Sequence, residues 1–193
     1  NGEDHHIFDK LAEKLKEKFT VYAIDSRNHG KSSMTDDFSY ETMAEDIFSF
    51  INALEPGGVS LVGFSDGAVI SLFLALKYPD IIKKMALLGV NLKPSDFKKN
   101  CYEYVKKEYE KTKNPLFKLM LEEPNIELDR LAGINIPSLI IAGEDDIFYR
   151  KTFTDAAETM PYAELMILEG HDHDSYITGN DLLYPELSTF FSK

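Results

Sequence analysis

The stretch from Val59 to Tyr78 joins a short aliphatic run to a long apolar run through a turn with two glycines. The pentapeptide Gly63-Phe64-Ser65-Asp66-Gly67 separates the two runs. This order predicts a strand, a sharp turn and a helix. In that setting a G-x-S-x-G pattern holds its serine hydroxyl clear of the sheet. Both glycines are expected because Cβ atoms beside so tight a turn would collide with the strand and the helix. The alternative is a serine that only caps the helix.

Short apolar runs elsewhere in the chain alternate with helical patterns. We predict four more buried strands, at Thr20–Ile24, Met85–Val90, Ile136–Ala142 and Glu164–Leu168. Amphipathic spacing predicts helices over Ile7–Phe19, Met43–Leu54 and Lys151–Met160, and a last helix with Pro185 in its first turn. A break at Pro56-Gly57-Gly58 precedes the strand that leads to Ser65. The alternation predicts the α/β class, with a mostly parallel, doubly wound sheet.

The alternation stops between Asn91 and Gly133, where apolar residues recur at helical spacing without a strand pattern. We interpret residues 91–134 as a small helical cap inserted into a core of residues 1–90 and 135–193. The alternative is a pair of surface helices that simply pack on the domain.

Charge and cysteine content exclude several classes of partner. The net charge of −12 disfavours nucleic acid and anionic membrane surfaces, since both require clustered Lys and Arg. Cys101 is the only cysteine, so an intrachain disulfide is impossible and a cytoplasmic setting is expected. Apolar stretches fall short of the roughly twenty residues that span a bilayer, so we expect no membrane partner.

Three of the predicted strands are each followed by a residue of a type that takes part in nucleophilic catalysis. Ser65 follows the first of them, Asp146 follows the run that ends at Ala142, and His171 and His173 follow the last. The carboxyl ends of parallel strands share one edge, which is where such sheets bind ligands. A serine hydroxyl needs an imidazole to take its proton, and the imidazole needs a carboxylate to orient it. The sequence therefore predicts a nucleophilic triad in the order Ser, Asp, His.

Two further segments give the chain a family resemblance. The loop Asp25–Ser32 reads D-x-R-x-x-G-x-S, and Ile136–Asp146 reads I-P-x-L-x-x-x-G-x-x-D. With the G-x-S-x-G turn, they make the whole chain resemble an α/β-hydrolase-fold serine hydrolase. The resemblance implies Asp146, rather than Asp145, as the acid. The usual length of the loop after the last strand favours His173 as the base, while the Gly-His pair keeps His171 as the alternative.

The same resemblance implies the groups that stabilise the reaction. The backbone N–H of Asp66 is one expected oxyanion donor, and Asn1 stands where the second is expected. Strands that precede this point in such hydrolases are not in the sequence, so we expect the core sheet to lack them and the activity of the chain to depend on that segment. No metal and no organic cofactor is implied.

The function predicted from these residues is hydrolysis of a small carboxylic ester, or a related acyl bond, through an acyl-enzyme. Gly63–Gly67 and Lys77–Met85 are similar to the branch that includes hydrolases of amino-acid esters. The alternatives are a C–C bond hydrolase or a thioesterase on the same triad, or a non-catalytic binding protein that keeps the fold. The expected partner is a small-molecule acyl substrate, and the oligomeric state stays open.

Overall fold

The computed structural model describes residues 1–55 and 57–193. Pro56, part of the predicted break, lies outside the described residues. Within them the chain forms four strands: β1 (Val59–Phe64), β2 (Ile82–Leu88), β3 (Ser138–Gly143) and β4 (Ala163–Leu168). The same residues form seven α-helices: α1 (Asp9–Leu15), α2 (Tyr40–Leu54), α3 (Asp66–Lys77), α4 (Lys99–Thr112), α5 (Pro115–Glu122), α6 (Arg150–Thr159) and α7 (Tyr184–Ser192).

The four strands form one parallel sheet in the order β1-β2-β3-β4. Parallel pairing brings the carboxyl ends of all four strands to one edge, as expected from the alternation of strands and helices. Pro185 lies in the first turn of α7, where its missing N–H leaves no intrahelical bond unmade. The α/β class and the parallel sheet are thus confirmed.

Helices cover both faces of the sheet. Met85 and Leu87 of β2 pack in a core with α2, α3 and α6, whereas Ala86 and Leu88 pack in a second core with α1 and α7. Alternate residues of a strand point to opposite faces, so the long apolar run of β2 buries both. The sheet is therefore doubly wound, as predicted.

The prediction of a strand at Thr20–Ile24 is wrong. This segment is exposed and has no strand assignment. A strand needs a neighbour about 4.7–4.9 Å away to complete its hydrogen bonds. Instead, a cleft of about 870 Å³ separates the segment from the β1 edge, with Tyr22 and Ile24 on one wall and Leu61 on the other. Apolar residues line the cleft, which explains why the sequence of this segment looks like that of a buried strand.

The predicted cap region is helical and bonds back onto the core. It holds α4, α5 and two 3-10 turns, Pro94–Asp96 and Leu128–Gly133. The N–H of Lys98 donates to the Ile147 carbonyl, 2.8 Å away. The division at residues 91–134 stays a prediction. Across the described part of the chain, none of the helices combines the length and apolar character needed to cross a membrane.

Candidate active site

Ser65 occupies a strained position between β1 and α3. Its backbone has φ 51° and ψ −113°, a region that side chains rarely adopt. A Cβ on Gly63 would lie 2.3 Å from the carbonyl oxygen of Gly67, so only glycine permits the strand and the helix to approach this closely. A Cβ on Gly67 would meet open space. The expected collision is therefore confirmed at Gly63 and wrong at Gly67, whose side-chain direction points away from the strand.

The side chains of Ser65, His173 and Asp146 form one hydrogen-bonded chain. His173 Nε2 lies 3.1 Å from Ser65 Oγ, and His173 Nδ1 lies 3.0 Å from Asp146 Oδ1. Because an ionised carboxylate can only accept, Nδ1 carries the proton and Nε2 is left as the acceptor facing the serine. The three residues come from the ends of β1, β3 and β4, as the parallel topology requires.

Aromatic rings and backbone donors hold the base and the acid in place. The His173 ring lies between Phe64 and Phe148, with ring centroids 4.9 and 5.4 Å away. The N–H of Phe148 donates to Asp146 Oδ1 at 3.1 Å. Asp146 is 1% exposed, while its neighbour Asp145 is exposed. The geometry therefore brings Asp146, and not Asp145, to the histidine.

His171, the alternative base, lies elsewhere. Its Nδ1 is 3.1 Å from the hydroxyl of Ser175 in the same exposed loop. Of the two histidines, His173 alone contacts Ser65 and Asp146 among the described residues. The catalytic role of His173 stays a prediction, with this contact as its geometric basis.

Sequence reasoning missed Gly89, which directly follows β2. Its φ is +57°, and a Cβ there would lie 2.7 Å from His173 Cε1 and 2.9 Å from His173 Nδ1. The absence of a side chain at this position is thus what leaves room for the imidazole. A glycine that ends a buried apolar strand beside the predicted site was the available signal. The buried hydroxyl of Tyr176 adjoins the same space, at 3.3 Å from that Cβ position.

The two expected oxyanion donors lie side by side. Asp66 is the first residue of α3, so its N–H has no acceptor inside the helix. The amine of Asn1 lies 3.8 Å from Asp66 Oδ2, and Asn1 Nδ2 donates to the Leu116 carbonyl at 2.9 Å. The structure therefore brings Asn1 next to the residue that follows the serine. That contact fixes the position of Asn1 but leaves its role a prediction.

The side chain of Asp66 is partly buried, and only one of its two carboxylate oxygens has a hydrogen-bond partner among the described residues. The hydroxyl of Tyr40 donates to its Oδ1 at 2.7 Å. Its Oδ2 is buried and has no hydrogen-bond partner in the described part of the chain, since the Asn1 amine is beyond hydrogen-bond length. Burial, followed by the charge of Asp66, raises the pKa of the Tyr40 hydroxyl well above its usual range. Tyr40 therefore stays a neutral donor at all ordinary pH values.

One group of side chains outside this site has the composition of a metal site. Asp4, His5 and His6 place one possible ligand atom each within 4.8 Å of one another. They lie on the 3-10 turn His5–Phe8 and its N-cap. The roles predicted for Ser65, His173 and Asp146 are those of a nucleophile, a base and an acid, which need no metal to act.

Comparison with known proteins identifies the family. The sequence profile of the alpha/beta hydrolase fold matches residues 1–122, more than half of the 193 residues. Human serine hydrolase BPHL is 33% identical over an alignment of 159 residues that covers 68% of this chain and 55% of that protein. Ethanol acetyltransferase 1 of Cyberlindnera jadinii is 43% identical over 68 residues, which are 35% of this chain and 20% of that protein. The chain thus spans about half of one relative and a fifth of the other.

Solved structures show the same fold at low sequence identity. A hydrolase from Oleispira antarctica superposes with a TM-score of 0.85 at 18% identity, covering 100% of this chain and 88% of that one. The shared fold and the profile agree with the resemblance found in the sequence. The chain belongs to the alpha/beta hydrolase fold family.

Proposed function

We propose that this protein is a serine hydrolase that cleaves small carboxylic esters through an acyl-enzyme. The observation that carries the proposal is the continuous contact from Ser65 Oγ through His173 to Asp146. Ser65 Oγ attacks the ester carbonyl while its proton passes to His173 Nε2. The tetrahedral intermediate collapses, the C–O bond of the ester breaks, and His173 gives the proton to the leaving alcohol. Water then attacks the acyl-enzyme and gives its proton to His173. His173 returns the proton to Ser65 Oγ as the ester bond to the enzyme breaks, and the acid is released.

Asp146 and Asp66 have separate parts in this reaction. The carboxylate of Asp146 fixes the tautomer of His173 and stabilises the imidazolium that forms in each half-reaction. The N–H of Asp66, at the start of α3, is the proposed donor to the developing oxyanion, and one such donor is worth about a hundredfold or more in rate. Asn1 is the proposed second donor, on the basis of its contact with Asp66.

Hydrolysis of p-nitrophenyl acetate by purified variants tests the reaction. Ser65→Ala and His173→Ala are each expected to lower kcat by at least about a thousandfold, because each removes a member of a unit. His171→Ala is the matched control, since it removes a histidine two residues away whose side chain hydrogen-bonds to Ser175 and not to Ser65 or Asp146. Full activity in His173→Ala, or loss in His171→Ala, would contradict the assignment.

The free carboxylate oxygen of Asp66 supports a narrower substrate class, esters of α-amino acids. A buried polar atom left without a partner costs about 1–3 kcal/mol, and an ammonium group would satisfy it. In an amino-acid ester the ammonium is two bonds from the carbonyl that Ser65 attacks. Asp66 directly follows Ser65, so both groups can be engaged at once.

The variant Asp66→Asn tests the proposed substrate class independently of the hydrolytic reaction. It keeps the shape and the acceptor for Tyr40 but removes the charge. We expect kcat/KM for an amino-acyl ester to fall about tenfold to a hundredfold, equivalent to about 1.5–3 kcal/mol for a charged hydrogen bond. The N-acetylated form of the same ester should be unaffected. Equal losses on both esters would refute the ammonium site but leave the hydrolase proposal standing.

A second candidate reaction is transfer of the acyl group to an alcohol instead of water. The local 43% identity to an ethanol acetyltransferase favours it, and the same acyl-enzyme serves both reactions. Product analysis with p-nitrophenyl acetate and ethanol distinguishes them. Ethyl acetate in excess of acetate would favour transfer, whereas acetate alone would favour hydrolysis. A cytoplasmic setting stays part of the proposal.

A further inference from the structure

The turn at the start of the chain gathers two imidazoles and a carboxylate outside the active site. The rings of His5 and His6 lie with their centroids 4.1 Å apart and tilted by 35°. Asp4, which caps the same turn, completes a group whose possible ligand atoms lie within 4.8 Å of one another. Two histidines and one carboxylate are a donor set that suits Zn²⁺.

Each of the two imidazoles also forms a hydrogen bond with a carboxylate outside this group. His5 Nδ1 lies 2.8 Å from Asp25 Oδ1, and His6 Nδ1 lies 3.0 Å from Asp9 Oδ2. An ionised carboxylate can only accept, so the proton of each ring is on Nδ1 and the lone pair is on Nε2. This carboxylate–histidine pairing is the arrangement that orients and strengthens metal-bound histidines.

The acid behind His5 is held in place by the backbone. The N–H groups of Lys31 and His5 both donate to the Asp25 carboxylate. Those N–H groups donate at 2.9 and 2.8 Å. Asp25 therefore holds His5 from a fixed position in the loop that follows residue 24.

We infer that Asp4, His5 and His6 bind a divalent zinc ion through the Asp4 carboxylate and the two Nε2 atoms, with water as the remaining ligand. A tetrahedral ion with bonds of about 2.1 Å spaces its ligands by roughly 3.4 Å, so the present group has to close slightly. His6 and its partner Asp9 are 56% and 63% exposed, so the pair can shift together without loss of packing. Asp4 Oδ1 accepts from the His6 N–H at 2.9 Å, which leaves its second oxygen for the ion.

The bound ion would join two segments of the chain. His5 connects it to Asp25, and Asn1, four residues before His5, lies beside Asp66. The ion would thus tie the first turn to the loop after residue 24 and steady the segment that ends next to the nucleophile. The hydrolytic reaction itself does not pass through this site.

Equilibrium dialysis of the purified protein against ZnCl₂ tests the inference. One equivalent of zinc is expected, and His6→Ala should weaken its binding at least about tenfold. His171→Ala is the matched control, because it removes a partly exposed histidine outside the group, and it should bind zinc like the parent protein. Asp25→Asn should weaken binding about tenfold to a hundredfold through His5.

Three outcomes would overturn the inference. These are the absence of bound zinc in the parent protein, unchanged binding in His6→Ala, and loss of binding in His171→Ala. Circular dichroism melting of each variant checks the fold. Because His6 is exposed and His171 is only partly buried, neither replacement is expected to unfold the chain.

Discussion

Replacement of Gly89 by alanine is expected to disable the site through a single methyl group. The new Cβ would lie 2.7 Å from His173 Cε1, whereas non-bonded carbon atoms settle at about 3.5–4.0 Å. The imidazole therefore has to move by roughly 0.8 Å, the difference between these distances. The contact from His173 Nε2 to Ser65 Oγ is already 3.1 Å, so a shift of this size takes it beyond hydrogen-bond length. A displacement near 1 Å costs about a hundredfold in rate.

The Gly89→Ala variant should nevertheless fold. Alanine at a positive φ costs about 1–2 kcal/mol, less than the roughly 5–15 kcal/mol that stabilises an ordinary domain. The assay is kcat/KM for p-nitrophenyl acetate, with the unfolding midpoint in urea measured on the same preparation. Gly133→Ala is the matched control, because a Cβ there meets nothing within 4 Å. A folded Gly89→Ala protein with the kcat/KM of the parent would refute the reasoning.

Three other predictions concern stability. Gly63→Ala should abolish soluble, folded protein, since its Cβ would lie 2.3 Å from backbone, whereas the Cβ of Gly67→Ala meets open space and this variant should melt near the parent temperature. Equal melting of the two variants would contradict the geometry described for the turn between β1 and α3. Tyr40→Phe removes the donor to Asp66 and should lower the urea-derived free energy of unfolding by about 1–3 kcal/mol; an unchanged value would show that water replaces the hydroxyl. The pKa of Asp25 is lowered from 3.8 to about 2, so its contribution to stability is complete above pH 4 and is lost as the pH falls towards 2. Asp25→Asn should therefore flatten the dependence of melting temperature on pH in that window, and an unchanged slope would contradict it.

The main elements were predictable because their patterns are local. The aliphatic run before Gly63 and the apolar run after Gly67 specify a strand and a helix without knowledge of the rest of the chain. The order of strands and helices then specifies a parallel sheet, whose carboxyl ends bring Ser65, Asp146 and the His171–His173 loop to one edge. This is why three residues far apart in sequence could be predicted to meet.

The failures arose where the outcome depends on a neighbour that the sequence pattern does not show. Thr20–Ile24 has the composition of a buried strand, but a cleft borders it and its hydrogen bonds have no ladder to join. Gly67 fits the motif, yet the direction of its missing Cβ is decided by the helix that it begins. Gly89 is required only because His173, distant in sequence, packs against it.

Labelling with a serine-directed fluorophosphonate tests the central claim most directly, because it reports the nucleophile itself and requires no knowledge of the substrate. Intact mass and peptide mapping of the purified protein should find one adduct, on Ser65. The adduct should be absent in Ser65→Ala, strongly slowed in His173→Ala and unchanged in His171→Ala. Failure of the folded parent protein to label at Ser65, or labelling that is indifferent to the loss of His173, would contradict the account.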